Sequence, residues 1–142
     1  MNLMETQFLT PELSVAAQIS VADLAGLAQA GFKSIICNRP DGEAADQTAF
    51  DDIAKAAVAL GLHARFLPAE TGKVSDEQGA AFGKLMDELP KPILAYCRSG
   101  MRSTTLWALA SAGKLPLPSI LNAAERAGYD LNGLAHRISN AS

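Results

Sequence analysis

Two hydrophobic rhythms alternate along the chain. The short β-branched apolar run "KSIICN" reads as a buried strand, the apolar run "ILAYC" as another strand, and "HARFLPA" is a third strand candidate. Phe8 to Gln18 adds one or two short strands around Pro11. Between these runs, apolar residues recur at helical spacing. Ser20 with Asp23 forms a capping-box pattern ahead of "VADLAGLAQAG", a helix expected to stop at Gly31. A second helix is predicted from about Phe50 to Leu60, ending at Gly61. Ser75 with Gln78 is another capping box and opens a helix to about Leu89. A helix after "ILAYC" ends near Gly113, and "SILNAAERAG" and "DLNGLAHRI" predict two short ones at the end. "RPDGEAADQ" is turn and loop chemistry.

The resulting order, strand and helix in alternation, predicts a single α/β domain over residues 1–142, with a mostly parallel central sheet flanked by helices. Ligands of such sheets bind at the carboxyl ends of the strands. Cys37, Cys97 and the turn at 68–72 all fall at such ends and are expected to line one crevice.

Composition narrows the function. With 49% apolar and 19% charged residues the chain is of globular type. Its net charge of −3 leaves no basic footprint for nucleic acid or an anionic membrane, so any anion site must be local. No apolar run approaches the roughly 20 residues of a membrane span. "MNLMETQFLTPELSVAAQ" lacks the basic start and apolar core of a secretion signal, which predicts a cytoplasmic location. In that reducing compartment a static Cys37–Cys97 disulfide is not expected. Two cysteines and two histidines without paired short spacings make no metal motif, and no cofactor is implied. The oligomeric state is not encoded in any pattern here.

The candidate chemistry lies in "CRSGMRS", Cys97 to Ser103, where a strand gives way to a helix. A free thiol is mostly protonated at neutral pH, and positive potential is needed to hold it as thiolate. A helix N-terminus supplies that potential through unpaired N–H groups, and a curled loop adds a nest of further N–H groups. Gly100 permits the curl. Arg102, five residues after Cys97, can face the sulfur. Arg98 is expected to attract anions from the outer side, with Ser99 and Met101 completing the loop and Ser103 donating to the sulfur. A buried structural cysteine would not account for this clustering. The pattern suits nucleophilic catalysis through a covalent cysteine intermediate on a small anionic substrate.

"CRSGMRS" resembles the active-site loops of two cysteine-enzyme groups. Protein tyrosine and dual-specificity phosphatases place their arginine one residue further on, at a position held here by Ser103. Rhodanese-type sulfurtransferases use the shorter spacing that Arg102 shows. From about Val15 to Leu131 the chain is similar to a narrower family, the phosphatase-like domain of the beta-lactamase-hydrolase-like proteins. The carriers are "VAAQISVADLAGLAQAGFKSIICNRPDGE", Asp46–Gln47, "AYCRSGMRSTTLWA" and "AAERAGYDL". The resemblance implies a protein-tyrosine/dual-specificity-phosphatase-like fold with a loop of rhodanese length. Some relatives carry a fused metallo-hydrolase domain, for which this chain is too short.

A shortened loop should grip a tetrahedral phosphate less well. Phosphatases of the resembled kind also need an acid for the leaving alkoxide, and "AETGKVSDE" has no aspartate at the equivalent place. Tyr96 stands where they usually have histidine. These departures favour sulfur transfer from thiosulfate or a persulfide through a Cys97 persulfide, with a thiol as acceptor. Hydrolysis of phosphotyrosine or a small phosphate ester through a Cys97 phosphoenzyme is the alternative. A non-catalytic anion-binding or redox-sensing module is the third reading. Auxiliary candidates are Cys37 as a relay thiol, Arg39 as a second cation, and Asp41 and Glu70 as proton acceptor or acid. Trp107 reads as core, and Tyr129 as a tail-packing hydrogen bond.

Overall fold

The computed structural model describes residues 5–141; the first four residues of the stretch read for a leader lie outside the described residues. Five strands form one sheet: β1 (Gln7–Thr10), β2 (Leu13–Ala16), β3 (Ser34–Cys37), β4 (His63–Phe66) and β5 (Ile93–Tyr96). Their order is β1-β2-β5-β3-β4. β1 runs antiparallel to β2, and every other pairing is parallel. The helices are α1 (Asp23–Gln29), α2 (Phe50–Ala59), α3 (Asp76–Glu88), α4 (Met101–Ser111), α5 (Leu117–Ala127) and α6 (Ala135–Asn140).

β2, β3 and β5 are buried along their whole length because helices cover both faces of the sheet there, so successive side chains both need an apolar partner, whereas the edge strand β4 is largely exposed. Ile36, Ala95 and Val15 point to the layer holding Phe82 of α3, Leu106 and Trp107 of α4, and Ile120 of α5. Ile35, Cys37, Leu94 and Tyr96 point to the other layer, against Leu24 and Leu27 of α1 and Ile53 and Ala57 of α2. Each large side chain buried this completely contributes about 1.5–3 kcal/mol. Trp107 is core, as its helical neighbours predict.

α3 and α4 approach closely because α3 offers glycines at the contact. A Cβ built on Gly79 would stand 2.6 Å from the Leu109 Cβ, and one on Gly83 would stand 3.3 Å from the Ala110 Cβ. That contact seats α4 and hence the loop in front of it.

The Ser75–Gln78 capping box forms on α3, with Gln78 N–H donating to Ser75 Oγ at 3.1 Å and Ser75 N–H to Gln78 Oε1 at 2.9 Å. The Ser20–Asp23 pair behaves differently. Asp23 Oδ2 accepts both the Ser20 N–H, at 2.8 Å, and the Ser20 hydroxyl, at 3.1 Å. Half of the capping box therefore forms, from the Ser20 N–H to the Asp23 carboxylate, but no side chain caps α1, which begins only at Asp23, two residues later than the sequence pattern suggests. At the other end, "DLNGLAHRI" splits into a 3-10 turn at Asn132–Leu134 and α6, with Asp130 Oδ1 accepting the Asn132 N–H at 2.9 Å. No helix among the described residues is long and apolar enough to cross a membrane.

Candidate active site

β5 is the central strand, buried along its whole length, and Cys97 follows it directly. The chain then turns through Arg98 and Ser99 to Gly100, whose φ of +96° starts α4. A side chain rarely adopts that conformation, so the sharp strand-to-helix turn calls for glycine. Cys97 is fully buried, and its sulfur accepts the Gly100 N–H at 3.1 Å. Sulfur, loop amide and helix N-terminus thus converge as the sequence spacing predicts.

Arg102 is buried on the first turn of α4. Its guanidinium forks onto Glu43, donating to Oε2 at 2.8 Å and Oε1 at 2.9 Å, and also donates to the Ala69 carbonyl at 2.9 Å. The Glu43 hydrogen bond raises the pKa of Arg102 first, and the Cys97 sulfur adds to it against the opposing effect of burial. Glu43 is in turn held below the usual carboxylate range, chiefly by Arg102 and further by Arg39. Arg39 donates to Glu43 Oε1 at 2.9 Å and to Gln18 Oε1 at 3.1 Å. Arg39, Arg98 and Arg102 line one open pocket of about 530 Å³ together with Glu43, Ala44, Asp46 and Thr71.

The other sequence candidates separate. Arg98 is exposed and lines the pocket. Ser99 is exposed, and its hydroxyl accepts the Met101 N–H at 3.3 Å. Met101 is exposed at the start of α4. Ser103 does not reach for the sulfur: its hydroxyl donates to Asn38 Oδ1 at 2.8 Å, which corrects the expected role. The reason is that Asn38 leaves β3 buried beside α4, and its own amide is committed to the Leu67 carbonyl at 2.9 Å. Cys37 turns to the α1/α2 layer rather than into the pocket, and its thiol donates to the Arg39 carbonyl at 3.3 Å. Burial pushes that thiol up, with Asp41 and Cys97 adding to the rise. Asp41 accepts the Phe50 N–H at 2.9 Å, serving the N-terminus of α2. Glu70 is exposed and pairs with Lys73 at 3.5 Å; the 68–72 turn reaches the site instead through the Ala69 carbonyl and Thr71. Tyr96 lies in the α1/α2 layer with its hydroxyl buried near Cys37 and Gln18 but in hydrogen-bond geometry with neither, and burial drives its phenol far up.

In the sequence Glu43 stands only within the turn-forming stretch "RPDGEAADQ". No pattern there assigns a site role to Gln18, Asp46 or Thr71. The one signal for Glu43 was an acidic residue in a loop facing a buried arginine, and that facing is a property of the fold.

A strand-to-helix loop holding a buried cysteine under a glycine amide, beside an arginine of the same loop, is the site plan of cysteine-based phosphatase-like domains. The fold agrees. A candidate phosphatase of Neisseria meningitidis Z2491 superposes with a TM-score of 0.85 at 32% identity, over 96% of this chain and 97% of that one. Tk-PTP in its active form superposes with a TM-score of 0.74 over 95% of this chain and 93% of its own, a likeness of fold at 20% identity.

Within that class, the chain belongs to the family "Beta-lactamase hydrolase-like protein, phosphatase-like domain", whose sequence model matches residues 5–114. The beta-lactamase hydrolase-like protein of Agrobacterium fabrum (strain C58 / ATCC 33970) is 34% identical over 125 residues, 87% of this chain. The chain spans 29% of the length of that curated relative. These likenesses support a phosphatase-like, cysteine-based domain. They favour the phosphate-ester alternative over sulfur transfer, which none of them shows.

Proposed function

We propose that the protein is a cysteine-dependent phosphatase acting on a small phosphate ester, with Cys97 as nucleophile. The observation that carries this reading is the Gly100 N–H donated to the Cys97 sulfur at 3.1 Å, at the mouth of α4 beside Arg102. The thiolate attacks phosphorus; the S–P bond forms as the P–O bond to the leaving group breaks, and that oxygen takes up a proton. Water then attacks phosphorus, giving a proton back to the acid that protonated the leaving group; the S–P bond breaks, and phosphate departs as the thiolate is restored. The loop N–H groups and Arg102 stabilise the charge on the equatorial oxygens. Arg39 and Arg98 add positive potential at the pocket, which favours an anionic substrate. Of the two carboxylates lining the pocket, Glu43 is held by two arginines, which leaves Asp46 as the candidate proton donor.

A second reading, sulfur transfer through a Cys97 persulfide to a thiol acceptor, is favoured by one specific feature. Arg102 lies one residue closer to Cys97 than in the resembled phosphatases, and both its terminal nitrogens are engaged by Glu43. A smaller cradle suits a donor whose leaving group, sulfite or a thiolate, needs no acid.

Both readings are tested on one set of samples: wild type, Cys97→Ser and Cys37→Ser. Aryl phosphate hydrolysis that disappears only in Cys97→Ser supports the phosphatase. A protein one sulfur atom heavier after thiosulfate, cleared by cyanide and absent only in Cys97→Ser, with no phosphate release, overturns it in favour of sulfur transfer.

A further inference from the structure

Three successive carbonyls of the loop, those of Arg98, Ser99 and Gly100, each accept hydrogen bonds. Arg98 C=O accepts the Gln18 N–H at 3.3 Å. Gly100 C=O accepts the Thr104 N–H at 3.0 Å and the Thr104 hydroxyl at 2.8 Å. Ser99 C=O accepts the Tyr129 hydroxyl at 2.9 Å. The first tether comes from the chain just after β2 and the second from the first turn of α4. The third comes from the segment after α5, 30 residues away and beyond residue 114, where the family match ends.

The third tether acts on a particular peptide unit. A trans peptide is planar, with its C=O and N–H pointing in opposite directions. The unit joining Ser99 to Gly100 has its carbonyl on Tyr129 and its N–H on the Cys97 sulfur. Any rotation that frees one end misdirects the other. The glycine side of this unit, at a φ of +96°, has no side chain to resist such rotation. Tyr129 fills the space instead: a Cβ at Gly100 would stand 2.1 Å from the tyrosine oxygen.

We propose that Tyr129 is a positioning residue of the site: its hydroxyl, donated to Ser99 C=O, locks the peptide whose N–H holds the Cys97 sulfur. The bond orients the amide. It also polarises it, since an amide whose carbonyl accepts a hydrogen bond becomes a better N–H donor. The phenol stays protonated and able to donate, because burial first, and the nearby Cys97 second, push its pKa up. Among the groups that act on Cys97, Arg102 is the cation on α4, Cys37 ends β3, and Tyr129 supplies the phenol from the C-terminal side.

The inference rests on reading Cys97 as the reacting thiolate, and its test stands apart from turnover. The pH dependence of iodoacetamide alkylation is measured by mass in a Cys37→Ser background, so that Cys97 alone reports. Tyr129→Phe keeps the ring and removes only the hydroxyl. The expected result is a midpoint moved upward by about half to one pH unit, with a melting temperature lowered by only a few degrees, about the worth of one hydrogen bond. An unchanged profile in Tyr129→Phe, with lost stability only in Tyr129→Ala, makes the residue a packing group and overturns the inference. If wild type turns over neither aryl phosphate nor thiosulfate, the proposed function fails while the alkylation shift still decides the role of Tyr129.

Discussion

Gly100→Ala brings the backbone and the tail contact into conflict. The position sits at a φ of +96°, and a non-glycine residue held at positive φ costs about 1–2 kcal/mol. The added Cβ would lie 2.1 Å from the Tyr129 oxygen and 2.9 Å from its Cζ, so the ring must withdraw. Withdrawal breaks its hydrogen bond to Ser99 C=O, a further loss of about 0.5–1.5 kcal/mol. Together these predict a destabilisation of roughly 2–3 kcal/mol, or a fall in melting temperature of roughly 5–10 °C for a domain of this size. The two contributions separate in a double-mutant cycle. In a Tyr129→Ala background the collision is gone and only the backbone cost remains, so Gly100→Ala should be milder there by about 1 kcal/mol. Urea denaturation of the four proteins measures this directly. Equal costs in the two backgrounds, within about 0.3 kcal/mol, would refute the claim that the tyrosine presses on the loop.

Glu43→Gln keeps the shape of the side chain but removes the charge that the buried Arg102 and Arg39 grip; kcat/KM should fall about tenfold, and denaturation measured in parallel should show a loss of about 1–3 kcal/mol. Unchanged turnover would show that Arg102 needs no carboxylate to hold its orientation. For wild type, a carboxyl held below its ordinary range contributes fully above the unfolded value of about 4.3 and is lost as pH falls through the depressed one, so this pairing persists at neutral pH and fails only in acid. Ser103→Ala leaves Asn38 Oδ1 buried without its donor and should cost about 1–3 kcal/mol in denaturation, yet leave the alkylation profile of Cys97 unmoved; a shifted profile would restore the sulfur-tuning role that the Ser103–Asn38 bond argues against.

Much of the fold was legible because it depends on short-range pattern. Buried strands announce themselves as unbroken apolar runs, and "KSIICN" and "ILAYC" became neighbours at the centre of the sheet. The α3 cap follows from two residues three apart, whose geometry no distant contact needs to supply. At Ser20 only half of the pattern is realised: the Asp23 carboxylate accepts the Ser20 N–H, while the helix itself begins at Asp23 without a side-chain cap. The same short-range reasoning overreached at Ser103, because a buried hydroxyl goes to whichever partner the packing brings up, and β3 brought up Asn38.

The sequence by itself determined that a cysteine would end a buried strand, that a glycine would turn the chain, and that a helix N-terminus and an arginine would follow. These are consequences of residues within one loop, where covalent connection fixes proximity. Only the tertiary structure decided what surrounds that loop. Glu43 meets Arg102 across 59 residues, Ala69 meets it across 33, and Tyr129 meets Ser99 across 30. No periodicity encodes such pairs. They exist because β3 lies beside β5 and α5 returns the chain to the sheet, so that distant side chains share a small volume that the sum of all the buried contacts defines.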